Sequence, residues 1–138
     1  MTATEMVSWA LQLIRVVDPA EALTDYQYNG GRRALNALLR RWEANGVALG
    51  FQPVDNPADP LTIPEEAEEA VAYNLAVRLR TLYGATLEQD VALGAQAGYA
   101  ALLRDVYTAM PPIQIVSQPR PANWWGTGWT IQSGGPIF

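Results

Sequence analysis

Residues 63–84, Ile63-Pro64-Glu65-Glu66-Ala67-Glu68-Glu69-Ala70-Val71-Ala72-Tyr73-Asn74-Leu75-Ala76-Val77-Arg78-Leu79-Arg80-Thr81-Leu82-Tyr83-Gly84, read as one helix with both of its ends marked. Proline suits a first turn because the N–H it lacks has no partner there. Four glutamates follow at the positive end of the helix dipole. Ala67, Ala70, Val71, Asn74, Leu75, Arg78, Leu79 and Leu82 then recur at steps of three and four, which defines one broad face. Gly84 closes the run, since glycine takes the left-handed conformation that ends helices.

Three more segments carry the same period. Towards the N-terminus, Thr2 and Glu5 have the spacing of a capping box. Met6, Trp9, Ala10, Leu13, Ile14 and Val17 continue that first helix up to Asp18-Pro19. A second helix is capped by Thr24 or Asp25 and carries Tyr28, Gly31, Ala34, Leu35, Leu38, Leu39 and Trp42. Its weak point is Asn29-Gly30-Gly31, because each helical glycine costs about 1 kcal/mol against alanine. The helix therefore begins after that point or bends there, and Asn45-Gly46 stops it. After Gly84, Thr86 with Gln89 predicts a second capping box. The helix it opens carries Val91, Ala95, Tyr99, Leu102, Leu103 and Val106 and stops before Pro111-Pro112.

Between the second and third helices, Val47–Phe51 is either a short strand or a packed connector. Pro53, Pro57 and Pro60, with Asp55, Asn56 and Asp59, mark a loop. A loop of that length is usually functional or pinned by a neighbour. Beyond the fourth helix the composition changes to proline, glycine and tryptophan. Gln114-Ile115-Val116 is a candidate edge strand. Pro119-Arg120-Pro121-Ala122-Asn123-Trp124-Trp125-Gly126-Thr127-Gly128-Trp129 cannot continue a helix. The expectation is an all-α protein: a small four-helix bundle over residues 1–110 and an extended, aromatic, Pro/Gly-rich tail over 111–138.

Composition narrows the chemistry. The chain has 138 residues, 49% of them apolar, enough for one core that buries about 68–70% of the unfolded surface. Cysteine and histidine are both absent, which removes disulfides, thiol nucleophiles, Ser-His triads and most zinc sites. The nine basic residues are all arginine and the net charge is −5, which argues against a conventional DNA-binding face. Apolar runs are too short to span a bilayer. The N-terminus lacks the basic region of a secretory signal, so the chain reads as a cytoplasmic product.

Glu65, Glu66, Glu68 and Glu69 are the one cluster with catalytic chemistry to offer. Paired carboxylates hydrolyse glycosides when one is kept protonated. The helix-start position accounts for these four without catalysis. Asp55 and Asp59 do not have calcium-loop spacing, and Gly30-Gly31 and Gly126-x-Gly128 lack the context of a nucleotide fingerprint. No cofactor, metal or catalytic residue is expected. Trp42 falls on its helix stripe and belongs to the core. Asn74, on an apolar face, needs partners, expected in the backbone of the 47–63 segment. Arg78 should pair with a carboxylate or carbonyl in the same place. Trp124, Trp125 and Trp129, with Ile113, Ile115, Ile137 and Phe138, are candidate anchors for a partner, since tryptophan is enriched at binding hot spots. The alternative is that these indoles fold back on their own body.

Leu35-Asn36, Leu38, Trp42 and Gly46, followed by Val47–Phe51, form one recognisable block. The proline-rich loop and the helix with Ala70, Asn74, Leu75 and Ala76 form another. In this order, over roughly residues 3–110, the sequence resembles the head-to-tail adaptors of tailed bacteriophages, the P22-type packaged-DNA stabilisation (tail accessory) family. The tail after Pro112 is similar only in style and departs in its Trp124-Trp125 pair, so no family tail contact is carried over. The resemblance implies a non-enzymatic virion subunit that docks on the portal protein as a twelve-fold ring. Such a ring extends the DNA channel, retains packaged DNA without binding it specifically, and offers a platform to the next tail component, a nozzle or stopper-like protein. It also implies a location at the head–tail interface of the virion and in the host cytoplasm before assembly. The other readings are a head-completion or scaffold-like subunit and, more remotely, a peptidoglycan hydrolase using the glutamates.

Overall fold

The computed structural model describes residues 1–109, and these form four helices. They are α1 (Ala3–Leu13), α2 (Asp25–Ala44), α3 (Glu65–Tyr83) and α4 (Gln89–Ala109). The described part is all-α, as expected. Its sole β feature is an isolated bridge between Thr2 and Pro60. Among the described residues no helix is long and apolar enough to cross a membrane. The proposed edge strand and all seven tail anchors lie outside the described residues.

α3 is the central element. It packs on α1, α2 and, most extensively, α4. Its buried side chains are small or aliphatic: Ala67, Ala70, Val71, Ala72, Leu75, Ala76 and Leu79. That surface lets α4 approach closely. A Cβ on Gly98 would stand 2.8 Å from the Cβ of Ala70, and one on Gly94 would stand 2.7 Å from the ring of Tyr73. Residue numbers rise on one helix as they fall on the other, so the two run antiparallel. Asn74 fastens the pair. Its amide donates to the carbonyl of Ala70 in its own helix at 2.8 Å and to that of Ala95 in α4 at 2.9 Å. The expected partner was the 47–63 segment. The correction follows from direction, because the half-buried face that carries Asn74 is covered by α4. Arg78 differs too: it is exposed and makes no ion pair or side-chain hydrogen bond among the described residues.

Trp42 is buried, as its stripe predicts, and its ring meets Tyr99 of α4 with centroids 5.1 Å apart and planes tilted by 44°. This contact ties the end of α2 to α4 near the start of α3. α2 runs unbroken through Asn29-Gly30-Gly31, against the expectation of a late start or a bend. Gly31 lies where α2 crosses α1. A Cβ there would collide with the Cγ1 methyl of Val7 and stand 2.9 Å from Cγ2. The glycine thus pays its helix cost in return for a close crossing. Thr24 caps α2, and Gln27 completes a full capping box with it, a pairing not anticipated from the sequence.

The first helix ends earlier than its periodicity suggests. α1 stops at Leu13, although Ile14 and Val17 remain in the core. The Arg15 N–H donates to the Gln12 carbonyl and the Val16 N–H to that of Leu11, each at 3.0 Å. These are the paired bonds of a Schellman ending, with Arg15 at φ 59° where glycine is usual. The apolar stripe outlasts the helix because burial, not helicity, is what it records. At the other end Thr2 Oγ1 accepts from the Glu5 N–H at 3.3 Å, and its hydroxyl donates to the Glu5 carboxylate at 3.1 Å. Half of the expected capping box is therefore formed. The Thr86–Gln89 box is not formed: α4 starts at Gln89, which makes Glu88 the cap position. Pro64 occupies the cap of α3, one residue before the expected first turn.

Val47–Phe51 is a connector, not a strand. It and the following loop insert Val47, Val54, Leu61 and Ile63 into the core. The loop is pinned at several points. Asn36 exchanges two hydrogen bonds with the backbone of Val54, each 3.1 Å. Thr62 accepts from the Gln52 N–H and donates to the Gly50 carbonyl. Ala3 N–H donates to the Asp59 carbonyl, Leu61 N–H to that of Met1, and the Thr4 hydroxyl to that of Pro57 at 2.7 Å. The loop is thereby fixed against α2 and the N-terminus.

Candidate partner-binding surface

Exposed apolar side chains that cluster on a packed body mark surfaces for contact with other molecules, whereas single ones are ordinary. Apart from Met1, those among the described residues are Tyr26, Leu82, Leu93 and Tyr107. They fall in two places.

Tyr26 and Leu82 flank an open groove between the start of α2 and the end of α3, with a volume of about 1060 Å³. Its walls are Tyr26, Asn29, Gly30, Arg33 and Ala34 from α2 and Leu82 and Tyr83 from α3. Tyr26 is 82% exposed and Leu82 67%. Leu82 was expected on the inner face of α3, but the last buried residue of that helix is Leu79, and Leu82 is exposed. Tyr83 is half-buried at the floor. Burial raises its phenol pKa above the ordinary value, with the nearby Tyr26 phenol adding to the effect. Arg33 is exposed on the rim and has no carboxylate partner among the described residues.

Leu93 and Tyr107 lie on the outer side of α4. Among the helices this element packs chiefly on α3, so much of its circumference faces outward. Asp90, Leu93, Ala97, Ala100, Arg104 and Tyr107 are all exposed and follow one another at steps of three and four. They form a single stripe along the helix. The sequence pattern hid it, because the residues that alternate with it, Val91, Ala95, Tyr99 and Leu102, carry the stronger inward signal.

The glutamates form no comparable site. Glu65, Glu66 and Glu69 are exposed in the opening turns of α3, and Glu68 approaches the N-terminal amine of Met1 at 3.9 Å. Among the described residues no group of histidine, cysteine or acidic side chains is arranged to hold a metal ion. The acidic loop has a structural role. Asp59 accepts backbone N–H bonds from Asn56 at 3.0 Å and Asp55 at 3.4 Å, which lowers its carboxyl pKa. Arg32 reaches the Val54 carbonyl and pairs with Asp55 at 3.5 Å.

No curated protein matches the chain. The family model of the P22 tail accessory factor matches residues 1–116, which takes in the whole four-helix body. The chain therefore belongs to the P22 tail accessory factor family, and it is a structural protein of the bacteriophage tail.

Proposed function

We propose that this protein is a head-to-tail adaptor, a non-enzymatic subunit that assembles as a ring beneath the portal. The ring extends the DNA channel, holds the packaged DNA in and offers a seat to the next tail component. The observation that carries this reading is the family match over the four-helix body. Two further features support it. The body exposes large apolar side chains in two unlike places, a groove between α2 and α3 and the outer face of α4. The net charge of −5 suits a channel wall past which DNA slides, since like charge keeps phosphates from adhering. Ile113, Ile115, Trp124, Trp125, Trp129, Ile137 and Phe138 are the proposed portal-gripping residues of the C-terminal segment.

Phage particles assembled without this chain provide the test. The adaptor reading expects DNA-filled heads that lose their genome on standing and carry no tail. Heads that keep their DNA and acquire complete tails would contradict it.

A further inference from the structure

The groove and the outer face of α4 differ in shape. One is concave, the groove flanked by Tyr26 and Leu82. The other is convex, the outer stripe of α4 that begins Asp90, Leu93, Ala97. A concave and a convex patch on the same chain make a head-to-tail contact, in which each copy uses a different surface from its neighbour. Such contacts close into a ring when the rotation between copies permits.

We propose that the first half of the α4 stripe in one copy seats in the α2–α3 groove of the next. The proposal rests on the adaptor reading for its ring, and it names the surfaces that build that ring. Three observations fit the two halves together. The lengths agree: Asp90 to Ala97 covers about 10.5 Å of helix and Tyr26 to Ala34 about 12 Å, at 1.5 Å per residue. The charges agree: Arg33 on the groove rim and Asp90 at the head of the stripe are both exposed, and neither has an ion-pair partner among the described residues. The profiles agree as well. Leu93 projects from the stripe as the large side chain, and Ala97 one turn later lets the groove wall approach the helix backbone. In the assembled pair Leu93 lies against Tyr26 and Leu82, and Arg33 meets Asp90 at the edge.

The chain has no cysteine, which makes site-specific cross-linking clean. Asn29→Cys places a thiol in the groove, and Gln96→Cys places one beside Leu93. Both positions are exposed, and neither belongs to the proposed pairs. The two full-length single variants are mixed with the phage's own portal and treated with a short bis-maleimide. The same sample is imaged by electron microscopy for rings on the portal. The expected result is a covalent dimer in the mixture and none in either variant alone. Leu93→Asp, introduced into the Gln96→Cys chain, should reduce that dimer by about tenfold or more, as for a buried hot spot. Circular dichroism should be unchanged, because Leu93 is already 54% exposed in the free subunit. Rings on the portal without the mixed dimer would overturn the interface and leave the adaptor reading standing. Dimers formed within one single variant would overturn it in favour of a two-fold contact. A portal that carries no ring would overturn both readings together.

Discussion

Asn36 holds Val54 by both its N–H and its carbonyl: the side-chain oxygen accepts the Val54 N–H and the side-chain amide donates to the Val54 carbonyl, each at 3.1 Å. An amide is suited to this because it offers one acceptor and one donor on the same small group. The arrangement imitates a strand pairing at a point where there is no strand. It places the Val54 side chain, 2% exposed, in the core. Asn36→Ala leaves both backbone groups without those partners and should lower unfolding stability by about 2 kcal/mol, measured by urea denaturation. Asn36→Asp keeps the shape but loses the donor, and sets a carboxylate against the Val54 carbonyl. It should be at least as damaging at neutral pH. A variant as stable as the parent would show that the loop is held from elsewhere.

Neighbouring glycines in α2 should respond in opposite directions. Alanine at Gly31 meets the methyls of Val7, with one contact at 2.9 Å and another closer still. Overpacking of this kind costs about 1–3 kcal/mol, more than the roughly 1 kcal/mol that alanine gains in helix propensity. Gly31→Ala should therefore destabilise, and Val7→Ala in the same chain should recover part of the loss. At Gly30 the nearest atom to an added Cβ is the Tyr83 hydroxyl at 3.8 Å, an ordinary contact. Gly30→Ala should stabilise by up to about 1 kcal/mol. Thermal melts of the three variants check the set.

Asp59 gives the loop an acid-sensitive tie. Hydrogen bonds from the backbone of Asn56 and Asp55 favour its charged form and depress its pKa. For a carboxylate depressed in the folded state, the stabilising contribution is fully present above the unfolded value and lost as pH falls through the folded value. Asp59→Asn should thus be less stable than the parent at pH 7. The gap should narrow through the acid range below the ordinary carboxylate pKa. Denaturation midpoints of both proteins across pH 2–7 would show this, and a gap independent of pH would contradict it.

Removing residues 113–138 should separate folding from attachment. Among the described residues the buried core runs from Ala3 to Leu102 and joins all four helices, so their far-ultraviolet circular dichroism should persist. Portal binding should be lost if the C-terminal segment supplies the anchors. An unfolded truncation product would assign the late tryptophans to the interior instead.

Helical period, end signals and composition were enough to read four helices and the membership of Trp42 in the core. They failed where direction mattered. The period placed Asn74 on an apolar face, yet only the packed structure shows that α4, not the loop, covers that face. It carried α1 through Ile14 and Val17, because a buried residue after a Schellman ending keeps the apolar pattern without the helix. It flagged Gly30-Gly31 as a break, because propensity is local and the Val7 crossing is not. The groove was the least legible feature. Tyr26 and Leu82 lie far apart in sequence, and Leu82 continues the inner stripe of α3 one turn beyond the point where the core ends.

Negative-stain electron microscopy of the purified full-length chain, mixed with the portal of its own phage, tests the proposed assembly. An added ring of density is expected beneath the portal, coaxial with the channel. Bare portals at saturating concentrations of a folded chain would contradict it.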